Sequence, residues 1–143
     1  METDSEKLMA EGIATGQVTF SDFLETLEWE VEEVDKVFCH QVGTMHRRQM
    51  LQSLGVTPER DFSTLEWLGN TGSVALPLTM AIGLEQGHVG RGERVGMLGI
   101  GSGINSLMMA VEWQRALVGT DSGQILDSET VSTARTSGDL ARP

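Results

Sequence analysis

Two segments of this chain carry side chains whose types and spacing could do chemistry. Leu68-Gly69-Asn70-Thr71-Gly72-Ser73-Val74-Ala75-Leu76-Pro77 puts a carboxamide in a glycine-flanked turn, ahead of a stretch of small and apolar residues. About thirty residues upstream, Phe38-Cys39-His40-Gln41 puts an imidazole at the end of an apolar run. A neutral His Nε2–H and an Asn amide N–H delivered from two turns can both donate to one oxygen as it gains negative charge. Backbone N–H groups of a third segment, Gly101-Ser102-Gly103, can serve a second oxyanion. Taken singly, His40 reads as a structural residue before a helix and Asn70 as a turn residue or cap. Together the three suggest half of a carbon–carbon bond-forming site, lacking an evident nucleophile.

The remaining candidates are weaker. Successive side chains of a strand point to opposite faces, so Cys39 and His40 diverge if the strand runs through them. Cys39 then reads as a small core residue, not as the partner of His40 in a hydrolase. His46 stands beside Arg47 and Arg48 and reads as part of a solvated helical face; His88, in a glycine-rich loop, reads as exposed. No Cys/His spacing resembles a zinc site, and no metal is expected. The run Gly99–Gly103 lacks the lysine of a phosphate-binding loop.

These residues need elements to hold them. Leu8, Met9 and Ile13 recur at helical spacing after Asp4 or Ser5, and Gly16 is expected to end that helix at about Ala14. A second helix follows Ser21 or Asp22, with Phe23, Leu24 and Leu27 as its stripe. Val34–Cys39 reads as a buried strand. Its carboxyl end, where such sheets present their ligands, carries His40. Thr44–Leu54 is a helix closed by Gly55, and residues 57–61 are a turn. Val74–Glu85 is a helix with few charges, expected to be buried on most sides, with Pro77 in its first turn. Residues 87–94 form a loop, and strands over 95–100 and 104–113 flank the glycine turn. The segment 114–143 is rich in Ser, Thr, Gly and Asp and reads as a polar, flexible tail. The class is α/β, layered, with only three strands and an apolar helix that something else should cover.

Bulk properties narrow the function. The 143 residues suffice for one modest domain. The formal charge is −11 and the pI about 4.5; residues 1–35 hold eleven acids against Lys7 alone. Without a basic patch, nucleic-acid binding is not expected. No run is apolar enough for a membrane span. An acidic N-terminus unlike a signal peptide, and a single cysteine, lead to the expectation of a cytoplasmic protein.

His40-Gln41, then Gly69-Asn70-Thr71 opening a small-residue helix, then Arg94–Gly103 ending in a glycine turn, then Val111-Glu112-Trp113, resembles a known arrangement. It is similar to the C-terminal part of the thiolase-superfamily condensing enzymes, in the 3-oxoacyl-(acyl-carrier-protein) synthase III group. Cys-His-Gln-Val-Gly, Trp-Leu-Gly-Asn-Thr-Gly-Ser-Val-Ala and Met-Leu-Gly-Ile-Gly-Ser-Gly most resemble the OleA type, which joins two fatty acyl-CoA molecules head to head. The resemblance covers residues 1–113 and implies a partial, layered thiolase-like fold: the later strands and helices of a C-terminal half. It implies that His40 and Asn70 are catalytic, holding the thioester carbonyl of the second acyl group. It also implies that the backbone N–H of Ser102 belongs to the other oxyanion hole. Acyl-CoA or acyl-carrier protein is then the substrate, with no resident cofactor. The nucleophilic cysteine of that family lies in an N-terminal half that this sequence does not contain. A partner chain carrying that half, in a dimeric thiolase-type assembly, is therefore implied; the chain is a split subunit, a truncated product or a remnant. The alternative is a non-catalytic scaffold that keeps the fold.

Overall fold

The computed structural model describes residues 5–101, 103–115, 117–119 and 125–127. Helix α1 (Ser5–Leu27) is continuous, which corrects the expectation of two helices separated at Gly16. Gly12, Gly16, Phe20 and Phe23 are buried. They stand three or four residues apart on one helical face, so the buried stripe runs through the glycine. A Cβ on Gly16 would lie 2.9 Å from Met50 Sδ and Cε on helix α2 (Thr44–Leu54). The roughly 1 kcal/mol that glycine costs inside a helix does not break α1 here, and the glycine leaves room for the end of Met50. α2 closes on Gly55, left-handed at φ 70°, as its sequence requires.

Strand β1 (Lys36–Cys39) is shorter than the expected Val34–Cys39. Val34 instead closes a 3-10 turn over Val31–Glu33, its N–H returning to the Val31 carbonyl at 3.3 Å. β2 (Arg94–Gly101) pairs parallel with β1, and β3 (Asn105–Glu112) pairs antiparallel with β2, in the order β1-β2-β3. The hairpin closes on the pair Gly101↔Asn105. Its turn uses positive φ at Gly103 (78°) and Ile104 (44°).

The sheet separates two apolar layers. Val37, Cys39 and Leu98 face α1 and α2, packing with Phe20, Phe23, Met50 and Leu54. Phe38 and Val95 face the other way, with Val89 and with Leu76, Met80 and Leu84 of helix α4 (Ala75–Glu85). The alternation of β1 is thus as strand geometry demands.

Helix α4 departs from its expected burial. Its buried stripe is Ala75, Thr79 and Gly83, four residues apart, while Leu78 is 38% exposed and Val74, just before the helix, 52%. On β3, Leu107 and Met109 are 68% and 50% exposed. A three-stranded sheet offers one helix a narrow seat, so Val74 and Leu78 stay exposed, although α4 also meets residues 117–119. Within 114–143, expected to be a flexible tail, the described residues include an antiparallel pair, β4 (Leu117–Gly119) and β5 (Ile125–Asp127). The rest of that expectation lies outside the described residues.

Candidate active site

His40 follows the last residue of β1, and its N–H extends the ladder to the Leu98 carbonyl at 3.0 Å. The imidazole is half-buried and makes no hydrogen bond with any described residue. Partial burial lowers its pKa below the ordinary 6.5, so the ring is neutral at neutral pH. His40 borders a cavity of about 30 Å³, with Cys39, His46, Arg47, Met50 and Ile100 among its walls.

His46 and His88 are not the solvent-facing residues expected. His46 is half-buried on that cavity, its pKa lowered by burial and then by proximity to His40. α1 covers its side of α2, which the helix's own charge pattern does not reveal. His88 packs on Phe38 and Phe62, ring centroids 5.7 and 5.3 Å away. Its Nε2 lies 3.2 Å from the Arg60 carbonyl, and burial lowers its pKa against the pull of that contact.

Cys39 is buried beside an ion pair. Arg47 Nε donates to Asp61 Oδ2 at 2.5 Å. Burial raises the Asp61 pKa, opposed by the guanidinium. The thiol is pushed well above its ordinary value by burial first and by the Asp61 charge second. A thiol held protonated in this way is a poor nucleophile. Among the described residues, Asp61 Oδ1 accepts no bond of good hydrogen-bond geometry.

Gln41 is 2% exposed. Its Nε2 donates to the Cys39 carbonyl at 2.7 Å; its Oε1 accepts from Ser63 Oγ at 3.0 Å and from the Thr64 N–H at 3.3 Å. Thr64 is the N-cap residue of the short helix α3 (Leu65–Leu68). The Thr64 and Thr79 hydroxyls meet at 2.6 Å, both buried.

Asn70 lies in the link from α3 to α4, after Gly69 (φ 65°) and before Gly72 (φ 68°). It is exposed, and its Oδ1 accepts the Gly72 N–H at 2.9 Å. This turn occupies the amide oxygen and leaves the amide N–H groups unpaired among the described residues. No hydrogen bond joins the His40 and Asn70 side chains. Ser102 lies outside the described residues. No group of three or more potential metal ligands occurs among the described residues.

The sequence reading assigned nothing to Gln41, Thr64, Thr79 or the Arg47–Asp61 pair. A glutamine two residues past an apolar strand is the one available signal, because a side chain so placed must find buried partners.

Residues 24–113 match the family described as 3-oxoacyl-[acyl-carrier-protein (ACP)] synthase III C terminal. An acyl-CoA:acyl-CoA alkyltransferase of Shewanella oneidensis is 45% identical over 113 residues, covering 79% of this chain and 32% of that protein. One of the same description from Xanthomonas campestris is 36% identical, covering 79% and 33%. The chain thus spans about a third of the length of the curated relatives it matches. Among solved structures, X. campestris OleA with bound lauric acid and lauroyl-CoA superposes with a TM-score of 0.74 at 36% identity, over 78% of this chain and 33% of that one. The 3-oxoacyl-(acyl carrier protein) synthase III of Pseudomonas aeruginosa shares the fold, with a TM-score of 0.77 at 22% identity over 82% and 37%. The layered α/β fold is thiolase-like and partial, and the chain belongs to the 3-oxoacyl-[acyl-carrier-protein] synthase III C-terminal family.

Proposed function

We propose that this chain supplies the His/Asn half of the active site of a fatty acyl-thioester condensing enzyme. The observation that carries the reading is a pair of donors unengaged among the described residues: a neutral His40 imidazole at the carboxyl end of β1, and an Asn70 amide whose oxygen alone is tied down. Both donate to the carbonyl oxygen of a bound acyl thioester, and their bonds strengthen as that oxygen takes up charge in the enolate. That enolate forms when the α-carbon gives up a proton to a base of the assembly, or a carboxylate as CO2, and its carbon then attacks an acyl group held as a thioester on a cysteine. The new carbon–carbon bond forms as the C–S bond breaks and the cysteine leaves as thiolate. The backbone N–H of Ser102 serves the oxyanion of that second carbonyl.

Cys39 is not that cysteine, being buried and protonated. The nucleophile belongs to an N-terminal half on a partner chain, in a dimeric thiolase-type assembly. The uncovered side of α4, with Val74 and Leu78, suits such a contact. The substrate is acyl-CoA or acyl-carrier protein, with no resident cofactor. Likeness to the alkyltransferases favours head-to-head joining of two acyl-CoA molecules.

The test combines the chain with one bearing the N-terminal half and measures condensation. His40→Ala should lose on the order of 100-fold or more in turnover. Undiminished turnover by that variant removes the reading. Tight assembly without turnover, indifferent to His40 and Asn70, would support the non-catalytic scaffold instead.

A further inference from the structure

The chemistry proposed above leaves Gln41 without a task, yet it is among the most enclosed polar side chains of the described residues. Its carboxamide holds the Cys39 carbonyl, immediately before His40, and the Ser63 hydroxyl and Thr64 N–H, where α3 begins. α3 ends at Leu68, and the Asn70 turn follows. Thr64 in turn holds Thr79 of α4, the helix on the other side of that turn. Both flanks of Asn70 are therefore tied through Thr64 to the residue next to His40. Apolar side chains of similar shape could fill the same space without the desolvation that polar groups incur. A buried polar network with its members bonded instead specifies one arrangement of the segments it joins.

We propose that Gln41 is a positioning residue, which sets the separation of His40 and Asn70 through Thr64 and Thr79. The proposal rests on the assignment of those two donors to a common oxygen. Each donor must come within about 2.7–3.1 Å of that oxygen. A misplacement of about 1 Å can cost on the order of 100-fold in rate.

The test is Gln41→Met, which keeps the length of the side chain and removes its hydrogen bonds. It is read by hydrogen exchange on the full chain and by steady-state kinetics in the assembly with the N-terminal half. Exchange should rise over residues 63–74 and stay unchanged over β2 and β3. The kcat should fall about 100-fold, with KM and the pH profile as in the unsubstituted protein. Exchange that rises equally along the whole chain, or an unchanged kcat, overturns the proposal. If Gln41→Met does not fold, Thr79→Val carries the test: it cuts the tie to α4 and leaves every Gln41 bond in place. Exchange should then rise over 70–85 with a smaller loss of kcat, and unchanged values overturn the proposal. His40→Ala measured in parallel separates the two failures. Full turnover by His40→Ala removes the underlying assignment, whereas a His40-dependent enzyme that tolerates Gln41→Met removes this proposal alone.

Discussion

Gly83 of α4 lies against the ring of Phe38 of β1. A Cβ at Gly83 would stand 2.6 Å from Phe38 Cε1 and 3.2 Å from Phe62 Cδ1. Phe38 is fully buried and wedged between Phe62 and His88, so its ring has no room to swing. Gly83→Ala should therefore destabilise the chain. Overpacking costs about 1–3 kcal/mol, against a gain of about 1 kcal/mol in helix propensity. Gly16 is the control. Its added Cβ would meet only the flexible end of Met50, so Gly16→Ala should be neutral or stabilising. Urea unfolding of the two variants distinguishes them, and equal behaviour would contradict the packing account.

Arg47 and Asp61 are unequally exposed, with side chains 23% and 0% accessible. Arg47→Met leaves a carboxylate buried without its cation, and about 3–5 kcal/mol of stability should be lost at neutral pH. The sign with pH follows from linkage. Without the guanidinium, burial raises the folded Asp61 pKa further. The variant should then approach the unsubstituted protein below the ordinary carboxyl value of 3.8 and fall behind it as pH rises through the folded pKa. A difference in stability that is flat with pH would mean that the ion pair is not its source.

The three histidines all have pKa values lowered by burial. A group whose folded pKa is depressed contributes stability above its unfolded value, here 6.5, and that stability is lost as pH falls through the folded pKa. The urea midpoint should hold from pH 8 to 7 and decline between about 6.5 and 5. His88→Phe, apolar and ring-shaped, should make the decline shallower. Condensation should fall over the same acid range as His40 gains a proton, and a rate independent of pH there would argue against a neutral His40 donor.

Asn70 allows its two roles to be separated. Asn70→Asp keeps an acceptor for the Gly72 N–H and removes the donating amide. The melting temperature should stay close to that of the unsubstituted protein while turnover falls about 100- to 1,000-fold. Asn70→Ala removes the acceptor too and should also lose about 0.5–1.5 kcal/mol of stability. Turnover retained by Asn70→Asp would reduce Asn70 to a turn residue.

Several elements were legible in the sequence because their signals are local. Gly55 closes α2, Pro77 sits in the first turn of α4, and the glycines around residue 102 stand at a hairpin. Each follows from the φ that a glycine or proline permits. The order His40, Asn70, glycine turn was legible too, and with it the family. The features missed depend on what lies across space. Gly16 looks like a helix break until Met50 is seen against it. His46 and His88 look polar and exposed until α1 and the Phe38–Phe62 pair cover them. α4 looks buried on most sides, although composition cannot say how many faces have a neighbour.

By itself the sequence determined which groups are present and which short segments turn, coil or extend, because those depend on a few adjacent residues. Only the tertiary structure decided which groups are paired, neutral or enclosed. Gln41 reaches Ser63 and Thr64 more than twenty positions away, and Arg47 reaches Asp61 across fourteen. Such pairings arise when burial forces polar groups to find partners wherever the fold has brought them.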